Sequence, residues 1–331
     1  MRYVETTPGC DVNLSDNTNL WGPPPSVSRT LSQIEITQLS RYPSAYSDEL
    51  KSTLARYTVV DASMIVVGCG SDDVLDSAVR SLAGPDSSLA HLDPTFSMIS
   101  AFANVSRVSV VAISRKTPNI DSAFANTGTS LTYLCSPNNP TGEALPPDVI
   151  ESIVAAASGV VIIDEAYAEF AETSSLALLH KYDNVLITRT MSKAFGLAGF
   201  RIGYGIGSPR LIDRVEAARG PYKVTTVAER VALGVLCDDI GWVREKAAEA
   251  VTIRRKFITE LRALGYTPLD SQANFVLVPV ADSAAVECGM RNHGVALRRL
   301  NDLTDIGDAV RIGIGPWPMM QRCLDALKAA I

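Results

Sequence analysis

Residues 187–207 read ITRTMSKAFGLAGFRIGYGIG. The β-branched start ends a strand, the glycines after Phe195 break any regular continuation, and the alternation from Ile202 begins a second strand. Lys193 stands between the two, a long cation where β-branched residues give way to small ones. A solvated surface lysine is the ordinary outcome, because Lys is almost never fully buried without a partner. Its neighbours offer another. Thr190 and Ser192 carry hydroxyls and Arg201 follows eight residues after Lys193. Hydroxyls, a guanidinium and a helix N-terminus together hold a phosphate dianion, and a lysine that sheds its proton is a nucleophile for carbonyl carbon.

The strand pattern extends outward from this stretch. MIVVG, SLAHL, VSVVAI, SLTYLC, GVVIID and NVLITR precede Lys193 at helix-length intervals, and RIGYGIG follows it. Seven strands alternating with helices predict an α/β domain with a mostly parallel sheet, assigned here to residues 31–220. After Pro221 come long amphipathic helices, VAERVALGVL and WVREKAAEAVTIRRKFITELRALG, then NFVLVPV, VALRRL, AVRIGIG and a last helix from Pro318. Residues 221–331 are therefore expected to form a smaller C-terminal α+β domain. Residues 1–30, with WGPPP at 21–25, are too rich in Pro and Gly for regular structure and are expected to form an arm.

Composition excludes several classes. The chain has 331 residues, 47% of them hydrophobic, enough for a large core. Its 30 basic and 36 acidic side chains give a net charge of −6, which argues against nucleic acid as a partner because that needs a basic footprint. Apolar runs such as GVVII from Gly159 fall far short of the ~20 residues that cross a bilayer. MRYVETTPGCD has no apolar segment of a secretory signal. The six cysteines (10, 69, 135, 237, 288 and 323) show no CxxC spacing and the three histidines lie far apart. Neither a disulfide framework nor a metal site is expected, and reduced thiols suit a cytoplasmic protein.

Three further stretches stand at strand ends, where open α/β sheets place ligands. In GCGSDDVLDSAVRSL from Gly68, a glycine turn at Gly70 leads to Ser71 and Asp72 at the start of a helix, whose free amides bind phosphate. Helix capping by Ser71 or Asp72 is the plainer alternative. In CSPNNPTGEALP from Cys135, Pro137, Pro140 and Gly142 make a rigid loop that aims Asn139 at a ligand. In VVIIDEAYAEF from Val160, Asp164 follows apolar strand residues where a carboxylate is costly unless paired with a cation; a helix cap is again the alternative. Tyr167 follows by three. A lysine for a Schiff base, a carboxylate for a ring cation and a cup for a phosphate are the needs of pyridoxal phosphate.

Taken together, PNNPTG, DEAYAEF and SKAFGLAGFRIGY resemble fold-type I pyridoxal-phosphate enzymes, and most closely the histidinol-phosphate aminotransferases. The resemblance runs from LSDNTNLWGPP at Leu14 to AVRIGIG at Ala309. It implies that Lys193 forms the imine with pyridoxal 5'-phosphate and shuttles the substrate's Cα proton, with Asp164 and Tyr167 as its catalytic companions. Asp164 would hold the ring nitrogen, Asn139 and Tyr167 the phenolic oxygen, and Phe96 the ring face. Gly70, Ser71, Asp72, Thr190, Ser192 and Arg201 would hold the phosphate, completed by Tyr42 of RYPSAY lent across a homodimer interface.

The same resemblance implies transamination of L-histidinol phosphate with 2-oxoglutarate, in histidine biosynthesis. Arg298 and Arg311, thirteen residues apart, would take the substrate's phosphate or carboxylate, with Asn19 and Trp21 at the mouth. Thr18, Trp21, Ile99 and Lys223 depart from the family's usual residues at positions expected to line that mouth. A threonine-phosphate decarboxylase of cobalamin synthesis and an aromatic amino-acid aminotransferase share these features. A non-catalytic binding protein would be expected to have lost Lys193, Asp164 or Arg201, and all three are present.

Overall fold

Residues 9–84 and 86–329 are described by a computed structural model; residues 1–8 of the expected arm lie outside them. The strands are β1 (Val12–Asn13), β2 (Ile65–Cys69), β3 (Ser88–Asp93), β4 (Ser109–Ser114), β5 (Leu131–Cys135), β6 (Val160–Asp164), β7 (Val185–Thr190), β8 (Ile202–Gly207), β9 (Phe275–Pro279), β10 (Val295–Ala296), β11 (Arg298–Leu303) and β12 (Gly307–Gly313). The seven strands expected before Pro221 form one sheet in the order β2-β8-β7-β6-β5-β3-β4. Pairs among β3 to β7 are parallel, and β8 runs antiparallel to both β7 and β2.

Burial explains these runs. β5, β7 and β8 are buried along every residue, as strands covered on both faces must be. Alternate residues sort into two apolar clusters: Ala90, Leu134, Ile163 and Ile187 in one, Leu89, Tyr133, Ile162 and Leu186 in the other. Side chains of successive strand residues point to opposite faces, so helices pack on both sides of the sheet. β4, at the edge, is largely exposed.

After Pro221 the helices Thr226–Asp238 and Ile240–Ala263 lead to the antiparallel sheet β11-β12-β9, and the helix Trp317–Ala329 follows. Thr225 caps the first of these helices by accepting from the Ala228 amide at 3.2 Å. The N-terminal segment is more regular than its Pro and Gly content suggests. β1 pairs in parallel with β10, Gly313 N donates to Leu14 O at 2.7 Å, and Ser26–Ser32 is a helix. Pro23, Pro24 and Pro25 precede that helix, where missing amides cost nothing. Among the described residues no helix is long and apolar enough to cross a membrane.

Candidate active site

The carboxyl-terminal ends of β2, β3, β5, β6 and β7 and the loops after them meet above the sheet, where parallel strands bring their ends together. At the end of β7 the chain turns back: Met191 N donates to Ile202 O at 2.9 Å and Leu197 N to Met191 O at 3.0 Å. Met191, Ala194, Phe195 and Leu197 are buried in the core, while Ser192 and Lys193 line a cavity of about 530 Å³. Asn19 holds this turn by donating its amide to Ala194 O at 2.9 Å. Lys193 Nζ lies 5.8 Å from the centre of the Tyr167 ring. Burial lowers its amine to about 8, helped by the positive fields of Arg311 and Arg201 and opposed by Asp72 and Asp16. Near neutrality a useful fraction of this amine is unprotonated.

Asp164, at the end of β6, is 3% exposed. It caps no helix. Tyr133 Oη donates to its Oδ2 at 2.7 Å and Thr188 Oγ1 to its Oδ1 at 3.1 Å. Burial pushes its carboxyl up to about 6, although both hydroxyls pull it down. The expected cationic partner is not a side chain: among the described residues Asp164 makes no ion pair. A cation delivered from the cavity would restore the ionised form.

The cradle for an anion lies at the start of the helix Ser71–Leu82. Its N-cap is Gly70, at φ +83°, and neither Ser71 nor Asp72 caps it, so its first amides are left for a ligand. Arg201 Nη1 donates to Ser192 Oγ at 3.2 Å, and Nη2 to Asp72 Oδ2 at 3.3 Å. The Asp72 carboxylate thus braces Arg201. A Cβ on Gly70 would stand 2.6 Å from Arg201 Nη2, and one on Gly203 would stand 2.0 Å from Ser71 N. Only glycines allow the guanidinium, β8 and the helix amides to approach this closely. This donor set fits the phosphate of pyridoxal phosphate, and Asp164 and Lys193 fit its ring nitrogen and aldehyde. Gly70→Ala should therefore weaken cofactor binding by roughly ten- to a hundredfold, the cost of strain at a positive φ plus a displaced guanidinium. Titration of the apoprotein with cofactor checks this; unchanged affinity would remove the cradle.

The same cavity is lined by Phe96, Asn139 and Tyr167, together with Met98 and Cys135, which the sequence did not single out. Arg311 Nη1 donates to Asn139 Oδ1 at 2.6 Å and Nη2 to Ser15 O at 2.9 Å. Arg298 is the cross-strand partner of Arg311, so the two side chains leave one face of the small sheet. Arg298, Arg311, Asn19 and Trp21 do not line the cavity, and Arg311 reaches it through Asn139. Trp21 donates its backbone amide to Asn19 Oδ1 at 2.9 Å. Tyr42 is 82% exposed and stacks on Tyr222, outside the cavity.

None of the four residues expected at the mouth, Thr18, Trp21, Ile99 and Lys223, lines the cavity. Ile99 is fully buried, because the helix Met98–Val105 turns it into the core and leaves Met98 at the cavity. Lys223 Nζ sits 3.7 Å from Asp73 Oδ1. Sequence inspection also missed Thr188, Tyr133, Asn17 and Asn274. Asn274 Nδ2 donates to Asn17 O at 3.0 Å and Asn17 Nδ2 to Tyr167 Oη at 3.2 Å. Thr188 was findable, since strand alternation puts it on the face of Thr190.

Known proteins resemble this chain in sequence and in fold. A histidinol-phosphate aminotransferase of Microcystis aeruginosa is 34% identical over 322 residues, 95% of this chain and 90% of that protein. The crystal structure of the histidinol-phosphate aminotransferase of Sinorhizobium meliloti in complex with pyridoxal-5'-phosphate superimposes with a TM-score of 0.87 at 23% identity, over 97% of this chain and 91% of that one. That of Clostridium acetobutylicum gives 0.88 at 23% identity, over 96% and 98%. These superpositions carry the fold. The sequence profile described as Aminotransferase class I and II matches residues 11–327, and with nearly the whole length matched the chain belongs to that aminotransferase family.

Proposed function

We propose that this protein is a pyridoxal-phosphate-dependent aminotransferase that exchanges the amino group of L-histidinol phosphate with 2-oxoglutarate. The observation that carries this reading is the cavity itself: a buried lysine with a lowered amine, a buried carboxylate and a glycine-built anion cradle around one space. When bound, the cofactor supplies an electron sink for the carbanion formed at the substrate's Cα. The chain's residues do the rest. Lys193 Nζ takes the Cα proton and returns it, a task for an amine poised near the working pH. Asp164 keeps a proton on the ring nitrogen. Ser71 N, Ser192, Thr190 and Arg201 fix the phosphate, and Asn139 and Tyr167 fix the phenolic oxygen.

Arg311, tied to Asn139, and its cross-strand partner Arg298 support an anionic substrate. A phosphate uses two guanidiniums better than one. Arg298→Ala should lower kcat/KM for L-histidinol phosphate by roughly ten- to a hundredfold, the worth of one charge-assisted contact. Activity on L-phenylalanine, whose carboxylate needs Arg311 alone, should change little. Equal losses on both amines would make Arg298 structural.

The assembly we propose is a cytoplasmic homodimer. Residues 1–30 form its arm, 31–220 the cofactor domain and 221–331 the small domain. Leu31, Ile36, Leu39, Tyr42, Tyr46 and Tyr222 are exposed and apolar, which supports a covered face. On this reading Tyr42 reaches the partner's phosphate cradle.

A further inference from the structure

We propose that Asn17 is a positioning residue that aims the Tyr167 hydroxyl at the cofactor's phenolic oxygen; this rests on the cofactor reading above. Both side chains are 3% exposed. Asn17 Nδ2 donates to Tyr167 Oη at 3.2 Å, across 150 residues of sequence. A phenol oxygen that accepts from an amide must send its single proton elsewhere. One edge of the Tyr167 ring packs against Phe275, with centroids 5.2 Å apart, and Lys193 Nζ lies over its face. The hydroxyl proton is then available to the cavity that Tyr167 lines.

The backbone that carries this amide is held from two sides. Asn17 takes the left-handed conformation, φ +53°, which Asn tolerates better than most residues. Its backbone carbonyl accepts from Asn274 Nδ2, and the segment before it is fixed by β1–β10 pairing. The arm thereby sets a hydrogen bond inside the cofactor site, and the small domain holds the arm in place. A hydroxyl that accepts becomes a stronger donor. A stronger donor on the phenolic oxygen stabilises negative charge there, so the neighbouring Lys193–cofactor linkage gives up its proton at lower pH.

The charged and titratable groups facing Tyr167 are Arg311, Cys135, Asp164 and Lys193, and a change at Asn17 leaves all four in place. Asn17→Gly keeps the left-handed backbone without steric cost and removes the amide. Asn17→Asp keeps the shape but captures the tyrosine proton, and it serves if the glycine variant folds poorly. The experiment is a pH titration of visible absorbance in cofactor-loaded wild type, both variants, Tyr167→Phe and Asn17→Gly/Tyr167→Phe.

The midpoint should rise by roughly 0.3–1 pH unit in Asn17→Gly, the size one neutral hydrogen bond allows. It should rise at least as far in Asn17→Asp and further in Tyr167→Phe. In the Tyr167→Phe background Asn17→Gly should add nothing, because its effect passes through the missing hydroxyl. No shift, a downward shift, or a full shift persisting without the hydroxyl overturns the proposal. A wild type whose loaded absorbance does not respond to pH overturns the cofactor reading, and this proposal with it.

Discussion

Lys193→Ala should abolish the imine absorbance of the loaded protein and lower turnover by roughly 10⁴-fold or more. The substitution deletes the group that bonds the cofactor and the group that moves the Cα proton, and general base catalysis alone is worth about 10²–10⁴. Lys193 is placed for both tasks by the turn at Met191–Leu197, whose apolar members are buried while Lys193 enters the cavity. A pH dependence follows from its lowered amine. The neutral amine is the nucleophile, so capture of cofactor by the apoprotein should quicken as pH rises and level off above about 8. Below that value each pH unit should cost about tenfold. Rapid mixing of apoprotein with cofactor across pH measures this. Turnover of Lys193→Ala near that of wild type would mean another group carries the chemistry.

Asp164→Asn should leave the cofactor bound yet slow the half-reaction by on the order of 10²- to 10³-fold, the usual loss when one preorganised electrostatic contact is removed. The amide oxygen still accepts from one of the two hydroxyls of Tyr133 and Thr188, and its NH2 donates to the other once that hydroxyl turns, so the fold around β6 should persist. The lost quantity is the negative charge that keeps a proton on the ring nitrogen, without which the ring withdraws electrons poorly. In the protein alone, burial pushes this carboxyl up to about 6. A cation beside it would reverse that shift and couple cofactor binding to proton release. Single-turnover absorbance of the variant checks the rate, and equilibrium dialysis checks occupancy. An unchanged half-reaction would take Asp164 out of the mechanism.

The sheet was legible because its central strands are buried on both faces and so appear as continuous β-branched runs. GVVIID and NVLITR mark β6 and β7 almost to the residue. Their ends then place Asp164 and Lys193 without further information. The arm was less legible, since Pro and Gly mask a two-residue strand whose partner, β10, lies at Val295. Asn17 could not be found from local pattern, because both its partners, Tyr167 and Asn274, are far along the chain. Ile99 was misplaced for a related reason. A short apolar helix such as Met98–Val105 does not say which side chain faces the core and which the cavity. The pairing of Arg298 with Arg311 depends on the register of β11 and β12, which spacing alone does not set.

The most direct measurement mixes the cofactor-loaded protein, without any oxo acid, with L-histidinol phosphate, O-phospho-L-threonine or L-phenylalanine in separate single-turnover runs. Loss of visible absorbance reports amino transfer, and trapped carbon dioxide reports decarboxylation. The account predicts that L-histidinol phosphate bleaches the absorbance fastest and that no run releases carbon dioxide. Faster bleaching by L-phenylalanine, or carbon dioxide released from O-phospho-L-threonine, would contradict it.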